Sequence, residues 1–258
     1  MRLEFVPLLQ IQRDIYNMPR DFARFKSYLD VLTGGTDDMA LPLSAMNPMG
    51  KAHVAVQTDK LIALGAEKVA EEATYDVQQR LLPAQKKSDD ILKVALVIAD
   101  DAHGAWTNRY LTETRHYFQN KGEVRRNWAS VLLWTSDAYT AQSQIRHEVF
   151  VTIYRILYLK RHGLPTTLRQ MMRQEGLALA FAGATEPVLD ADDLHYTHEV
   201  IQPYLDSEHF PTLFACLYGD EAAKSVGYEP LGLSAKAGYA LALANVQQRD
   251  ERPENGLD

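Results

Sequence analysis

The chain has 258 residues, 46% hydrophobic and 24% charged, enough apolar content to bury a sizeable core without disulfides or a structural metal. Lys and Arg number 27 against 34 Asp and Glu, and the resulting charge of −7 argues against nucleic acid or an anionic membrane surface as a partner. No run approaches the roughly 18 apolar residues of a membrane span, the lone Cys216 excludes a disulfide framework, and the chain reads as cytoplasmic.

In chain order, Phe22, Phe25, Tyr28 and Leu29 have helical spacing, and Gly34-Gly35 ends that helix. The stretch 41–50 (LPLSAMNPMG) carries two prolines and few charges, and reads as an ordered, partly buried loop. Leu61, Leu64, Val69, Ala73 and Val77 mark one helix from Thr58 to Pro83, followed by a polar connector over 85–90. Two continuous apolar runs follow, 94–99 and 130–134, separated by about the length of a helical crossover; both suit strands buried on two faces. Ser136-Asp137 then offers a cap to a long helix marked by Ile145, Val149, Ile153, Ile156 and Leu157, which ends at His162-Gly163. Further helices are expected over 168–175, 177–181, 194–205, 210–218 and 235–248.

This pattern predicts a predominantly α-helical α+β fold, with a small buried strand pair at about 94–99 and 130–134 and helices around it; an all-α bundle is the alternative. One globular domain is expected over 1–249, and the acidic tail 250–258 has too little apolar content to pack.

The densest group of reactive residue types follows the first strand, where open α/β sheets bind ligands. Of Asp100 and Asp101, one should face a site and the other cap the next helix, because adjacent side chains of an extended chain point apart. Asp101 and His103 are candidate catalytic residues, with the imidazole on a tight turn before Gly104. Trp106 offers a flat wall, and Asn108 and Arg109 offer donors to an anionic substrate. The competing reading makes Trp106 and Tyr110 core anchors, and pairs Arg109 with Glu113 as a solvent-facing ion pair.

Glu113 and His116 fit Glu-x-x-His, a metal-ligand spacing on one helix face, although no second copy occurs. His147-Glu148 begins like a zinc-protease helix, but Val151 stands where the second histidine is needed. Glu148 is therefore carried as a third catalytic candidate, and His147 joins Glu113 and His116 as speculative metal ligands; the alternative has Arg146 and Glu148 stitching the helix to its neighbours. Asp192, His195 and His198 are ligand types, yet read more simply as an acidic helix start with exposed histidines. His53, His162 and His209 stand alone. The run from Asn47 to Lys51 lacks the phosphate-loop pattern, and no dinucleotide fingerprint or Gly-x-Ser-x-Gly appears, so no nucleotide cofactor is indicated while a divalent metal stays open.

Two functions of different class follow. One is a hydrolase whose acid/base or metal-assisted site is built from the 100–116 and 146–148 segments. The other is a non-catalytic helical protein that binds a protein or small ligand, with the alanine-rich segment 239–246 as its contact face. A small-molecule ligand and a homo-oligomer are the partners this allows; nucleic acid and membrane are not.

Overall fold

The computed structural model describes residues 1–81, 90–103 and 107–257. Among them are twelve α-helices and one small parallel sheet, a predominantly helical α+β fold. Where length alone predicts one domain over 1–249, close contacts cluster in two compact units, Met1–Thr112 with Lys121–Ile153, and Glu113–Asn120 with Tyr154–Asp258.

The first unit holds the sheet, in the order β1 (Arg2–Phe5), β2 (Ile91–Ala99), β3 (Trp128–Trp134). β2 is buried from Val94 to Ala99 and β3 along its whole length, which is why both read as unbroken apolar runs. The expected pair gains a third strand, because β1 has only four residues and no run to mark it. β1 pairs only with the start of β2, from Arg2 opposite Ile91 to Phe5 opposite Val94. Beyond that point Gln12, fully buried on α1 (Leu9–Asn17), takes the place of a strand: its Nε2 donates to Leu96 O at 2.9 Å and its Oε1 accepts from Ile98 N at 2.8 Å. On the far edge, Glu123 of α6 (Lys121–Arg126) accepts the Ser130 amide of β3 at 3.0 Å and also the Ser130 hydroxyl.

α2 (Phe22–Thr33) starts at Asp21, which accepts from the Ala23 and Arg24 amides, and ends at Gly34 with φ 59°. The single helix expected over 58–83 is instead α3 (Ala52–Leu64) and α4 (Ala66–Leu81), broken at Gly65 with φ 74°. The apolar positions run on through the break because both helices bury that face, so periodicity alone hides it. Pro83 and most of the polar connector lie outside the described residues. α7 (Gln142–His162) starts beyond Ser136 and Asp137, so neither residue caps it.

The second unit is helical. It takes the C-terminal parts of α5 (Arg109–Phe118) and α7, and adds α8 (Leu168–Phe181), α9 (Ala191–Ile201), α10 (Phe210–Tyr218), α11 (Asp220–Ser225) and α12 (Ala237–Gln248). α8 joins the two segments expected at 168–175 and 177–181 into one helix, begun by a capping box between Thr167 and Gln170. Gly176 inside it is a packing device, since a Cβ there would overlap the Ala242 carbonyl oxygen of α12. Tyr239 to Ala244 and Val246 are buried, so the segment 239–246 is core and not a face for a partner. Arg155 and Glu175 form a buried ion pair, Nη2 to Oε2 at 2.5 Å, with the guanidinium 3.6 Å from the centre of the Tyr117 ring. Residues 250–258, expected to stay unpacked, include a 3-10 helix at Pro253–Leu257. Two of its carbonyls are held by side chains of α7: Tyr154 donates to Pro253 O and the His162 ring meets Gly256 O, each at 2.7 Å. No helix among the described residues is long and apolar enough to cross a membrane.

Candidate active site

The parallel register sets Ala99 opposite Trp134, so the chain leaves β2 at Asp100 beside the point where it leaves β3 at Thr135. This juxtaposition gathers polar side chains at the carboxyl end of the sheet in the first unit. The Asp100 carboxylate is 2% exposed and accepts four hydrogen bonds. Asn47 Nδ2 donates to Oδ2 at 2.8 Å, and Oδ1 takes His53 Nε2 at 2.7 Å, Thr135 Oγ1 at 3.1 Å and the Ala102 amide at 3.3 Å. The carboxylate oxygen beside Nε2 takes the proton on that nitrogen, so Nδ1 is the ring nitrogen left to accept one.

His53 sits in the first turn of α3, and the 41–50 loop that leads into it is tied down through its carbonyls. Tyr16 donates to Asn47 O at 2.8 Å, Tyr28 to Leu43 O at 3.1 Å, and buried Arg24 to Gly50 O at 3.2 Å. Burial lowers the Arg24 pKa and raises those of Tyr16 and Tyr28. Gly50 permits the close approach, since a Cβ there would fall 2.7 Å from Val54 Cγ2 and 3.3 Å from Asp100 Oδ2. No side chain caps the N-terminus of α3, where the Val54 amide donates to Lys51 O at 3.1 Å.

His103 closes the other side. Its backbone is left-handed, φ 53°, and its ring lies edge-on to His53 with centroids 4.8 Å apart. Lys51 Nζ donates to the His103 carbonyl at 3.0 Å and holds this turn to the start of α3.

Comparison with known proteins adds one relative. The chain is 33% identical over 114 residues to the uncharacterized protein YjfC of Bacillus subtilis (strain 168), a stretch that is 41% of this chain and 38% of that protein. The chain thus spans well under half of that relative's length. Neither a protein-family model nor a solved structure matches.

Several site residues expected from the sequence have other tasks. Among the described residues Asp101 caps no helix and, like Asp100, turns to the end of β3: it accepts the Ser136 amide at 3.0 Å and Ser136 Oγ at 2.6 Å, and shares with Asp100 the one proton of Thr135 Oγ1, 3.2 Å away. Asn108 caps α5, its Oδ1 accepting the Leu111 amide at 3.1 Å. Arg109 clamps Asp137 with two hydrogen bonds of 2.6 and 3.0 Å over the Trp134 ring, so its donors hold the loop after β3. Glu113, expected to face solvent, is buried at 3% exposure. Tyr139 joins the same cluster, donating to Asp137 Oδ2 at 3.3 Å and accepting the Trp134 amide at 3.0 Å. Burial, and after it the charges of Asp137 and Glu148, push its hydroxyl up. Arg146 pairs with Asp76 of α4 at 2.6 Å, the stitching role weighed for it above. Trp106 lies outside the described residues.

The three speculative metal ligands do not share a unit: Glu113 and His116 fall in the second and His147 in the first. Among the described residues, no group of three His, Cys, Asp or Glu side chains is placed to hold a metal ion. His195 pairs with Glu199 at 3.4 Å on the exposed face of α9. His53, set aside as solitary, is the residue that sequence reading missed, together with Asn47 and Thr135, which share its partner Asp100. The legible sign was the loop itself, in which two prolines and Gly50 lead into a helix that starts without a cap.

Proposed function

We propose that the chain is a cytoplasmic hydrolase in which His53, oriented by Asp100, acts as general base on water. The observation that carries this reading is the 2.7 Å bond from His53 Nε2 to an almost wholly buried carboxylate, while the His53 side chain stays 20% exposed. Asp100 fixes the tautomer and stabilises the imidazolium that forms when Nδ1 takes a proton from water. The hydroxide so generated attacks a carbonyl or phosphoryl centre seated beside the start of α3. Side chains in a first helical turn lean toward the N-terminus, so the uncapped end of α3, ahead of the Val54 amide bonded to Lys51 O, shares that volume and suits the oxyanion that develops. His103 is the second imidazole, in position to protonate the leaving group. Asp101, Arg109 and Asp137 act behind these groups by fixing the loop after β3 against the loop after β2.

Hydrolysis of p-nitrophenyl esters and p-nitrophenyl phosphate by the purified chain tests the reading. His53→Ala should lower kcat/KM for the hydrolysed substrate by about 10²–10⁴-fold, and Asp100→Asn should do so with the fold retained by circular dichroism. Wild-type rates in His53→Ala would refute it.

A further inference from the structure

A cavity of about 300 Å³ lies in the second unit, between α8, α9 and α12, at the lower end of the range of small-molecule sites. Its floor is apolar, formed by Met172, Ile201, Leu241 and Val246, all buried side chains. Its rim is basic, with three arginines against one carboxylate, Glu251, in a chain whose net charge is −7.

The arginines are not equivalent. Arg169 is taken up by Asp206 through two bonds of 2.9 Å, and Arg173 by Glu251 at 2.7 and 3.3 Å. The Arg249 guanidinium has no ion pair or hydrogen bond among the described residues, and neither do the side chains of His198 and Asn245 on the same rim. One cation, an imidazole and an amide are therefore left facing a greasy pocket whose other charges are already matched. The tail helps to shape the rim, since the Glu251 amide donates to Val246 O at 3.3 Å and the turn beyond it docks on Tyr154 and His162.

We infer that this cavity binds a small amphipathic monoanion, with its apolar body on the floor and its acidic head on Arg249, His198 and Asn245. This site is separate in its residues from the His53 centre and does not depend on the hydrolase reading.

Calorimetric titration of the full chain with octanoate and with octan-1-ol tests it. Saturable octanoate binding is expected, with octanol weaker. Arg249→Glu, an exposed substitution, should weaken octanoate by about tenfold or more and leave octanol unchanged. Asn245→Trp should fill the cavity and weaken both ligands. His53→Ala should bind octanoate like the wild type. Equal affinity for the acid and the alcohol, no saturable octanoate binding at millimolar concentration, or an unchanged affinity in Arg249→Glu would each overturn the assignment. Loss of octanoate binding in His53→Ala would move the ligand to the other site and overturn it equally.

Discussion

Asp100 and Glu175 are both almost fully shielded carboxylates, 2% and 0% exposed, yet they serve opposite ends. Glu175 in the second unit meets Arg155, whose side chain is only 7% exposed, and the pair is closed off by Tyr117. Every charge there is spent inside the unit. Asp100 in the first unit meets His53, whose side chain keeps a fifth of its surface toward solvent. The difference lies in where the backbone ends. A helix side chain facing another helix is saturated by its neighbour, whereas strand ends in a parallel sheet bring several loops together with room left over. Buried charge therefore signifies chemistry only when its partner has a group still to offer.

The comparison breaks most sharply under substitution of the two partners. His53→Ala should abolish most hydrolysis, by the two to four orders of magnitude given above, with little change in melting temperature because the imidazole is partly solvated. Glu175→Ala should do the reverse. It strands the Arg155 guanidinium, held well above its ordinary range by Glu175 against the opposing effect of burial, and should cost about 3–5 kcal/mol in chemical denaturation. The specific activity of the molecules that remain folded should not fall. If Glu175→Ala removed activity without loss of stability, the division between a working and a structural carboxylate would fail.

The sheet and the long helices were legible in the sequence because their signals are local: 94–99 and 130–134 are unbroken apolar runs, and α7 repeats its apolar face over five turns. The centre was legible only by half. Asp100, Asp101 and His103 follow a strand end, so position pointed to them. His53 and Asn47 lie about fifty residues earlier, and only the register of β2 against β3 and the docking of the 41–50 loop bring them in. Asn108 and Arg109 also have local tasks that the sequence did not show: the Asn108 carbonyl oxygen caps α5, and the Arg109 donors clamp Asp137. Gly65 and Gly176 misled in opposite senses: one breaks a helix whose apolar pattern continues, and the other continues a helix where a break was expected.

A milder test uses a carboxylate whose partners are backbone only. Burial would raise the Asp220 pKa, but the amides of Leu233, Leu231 and Gly232, at 2.9–3.0 Å, outweigh it and hold the carboxyl below its ordinary range. A depressed folded pKa means that the stabilisation is complete above pH of about 4 and fades as pH falls through the folded value. Asp220→Asn should therefore cost about 1–2 kcal/mol at pH 7, and its urea midpoint should converge on the wild type in acid. The smallest effect is expected at Cys216, fully buried with a thiol pushed up to about 12 by burial. At pH 8 a thiol-specific chromogenic disulfide should leave it unmodified in the native chain and titrate one thiol per chain in guanidinium.

Gln12 has a consequence for the company the protein keeps. A three-stranded sheet ordinarily offers raw margins on which a stray extended segment can crystallise. Here a glutamine amide and a glutamate carboxylate stand in for the missing neighbours, one on each margin, and imitate peptide groups without supplying a chain that can be extended further. At those points the backbone groups of β2 and β3 are already taken, so an incoming strand finds no ladder there to extend.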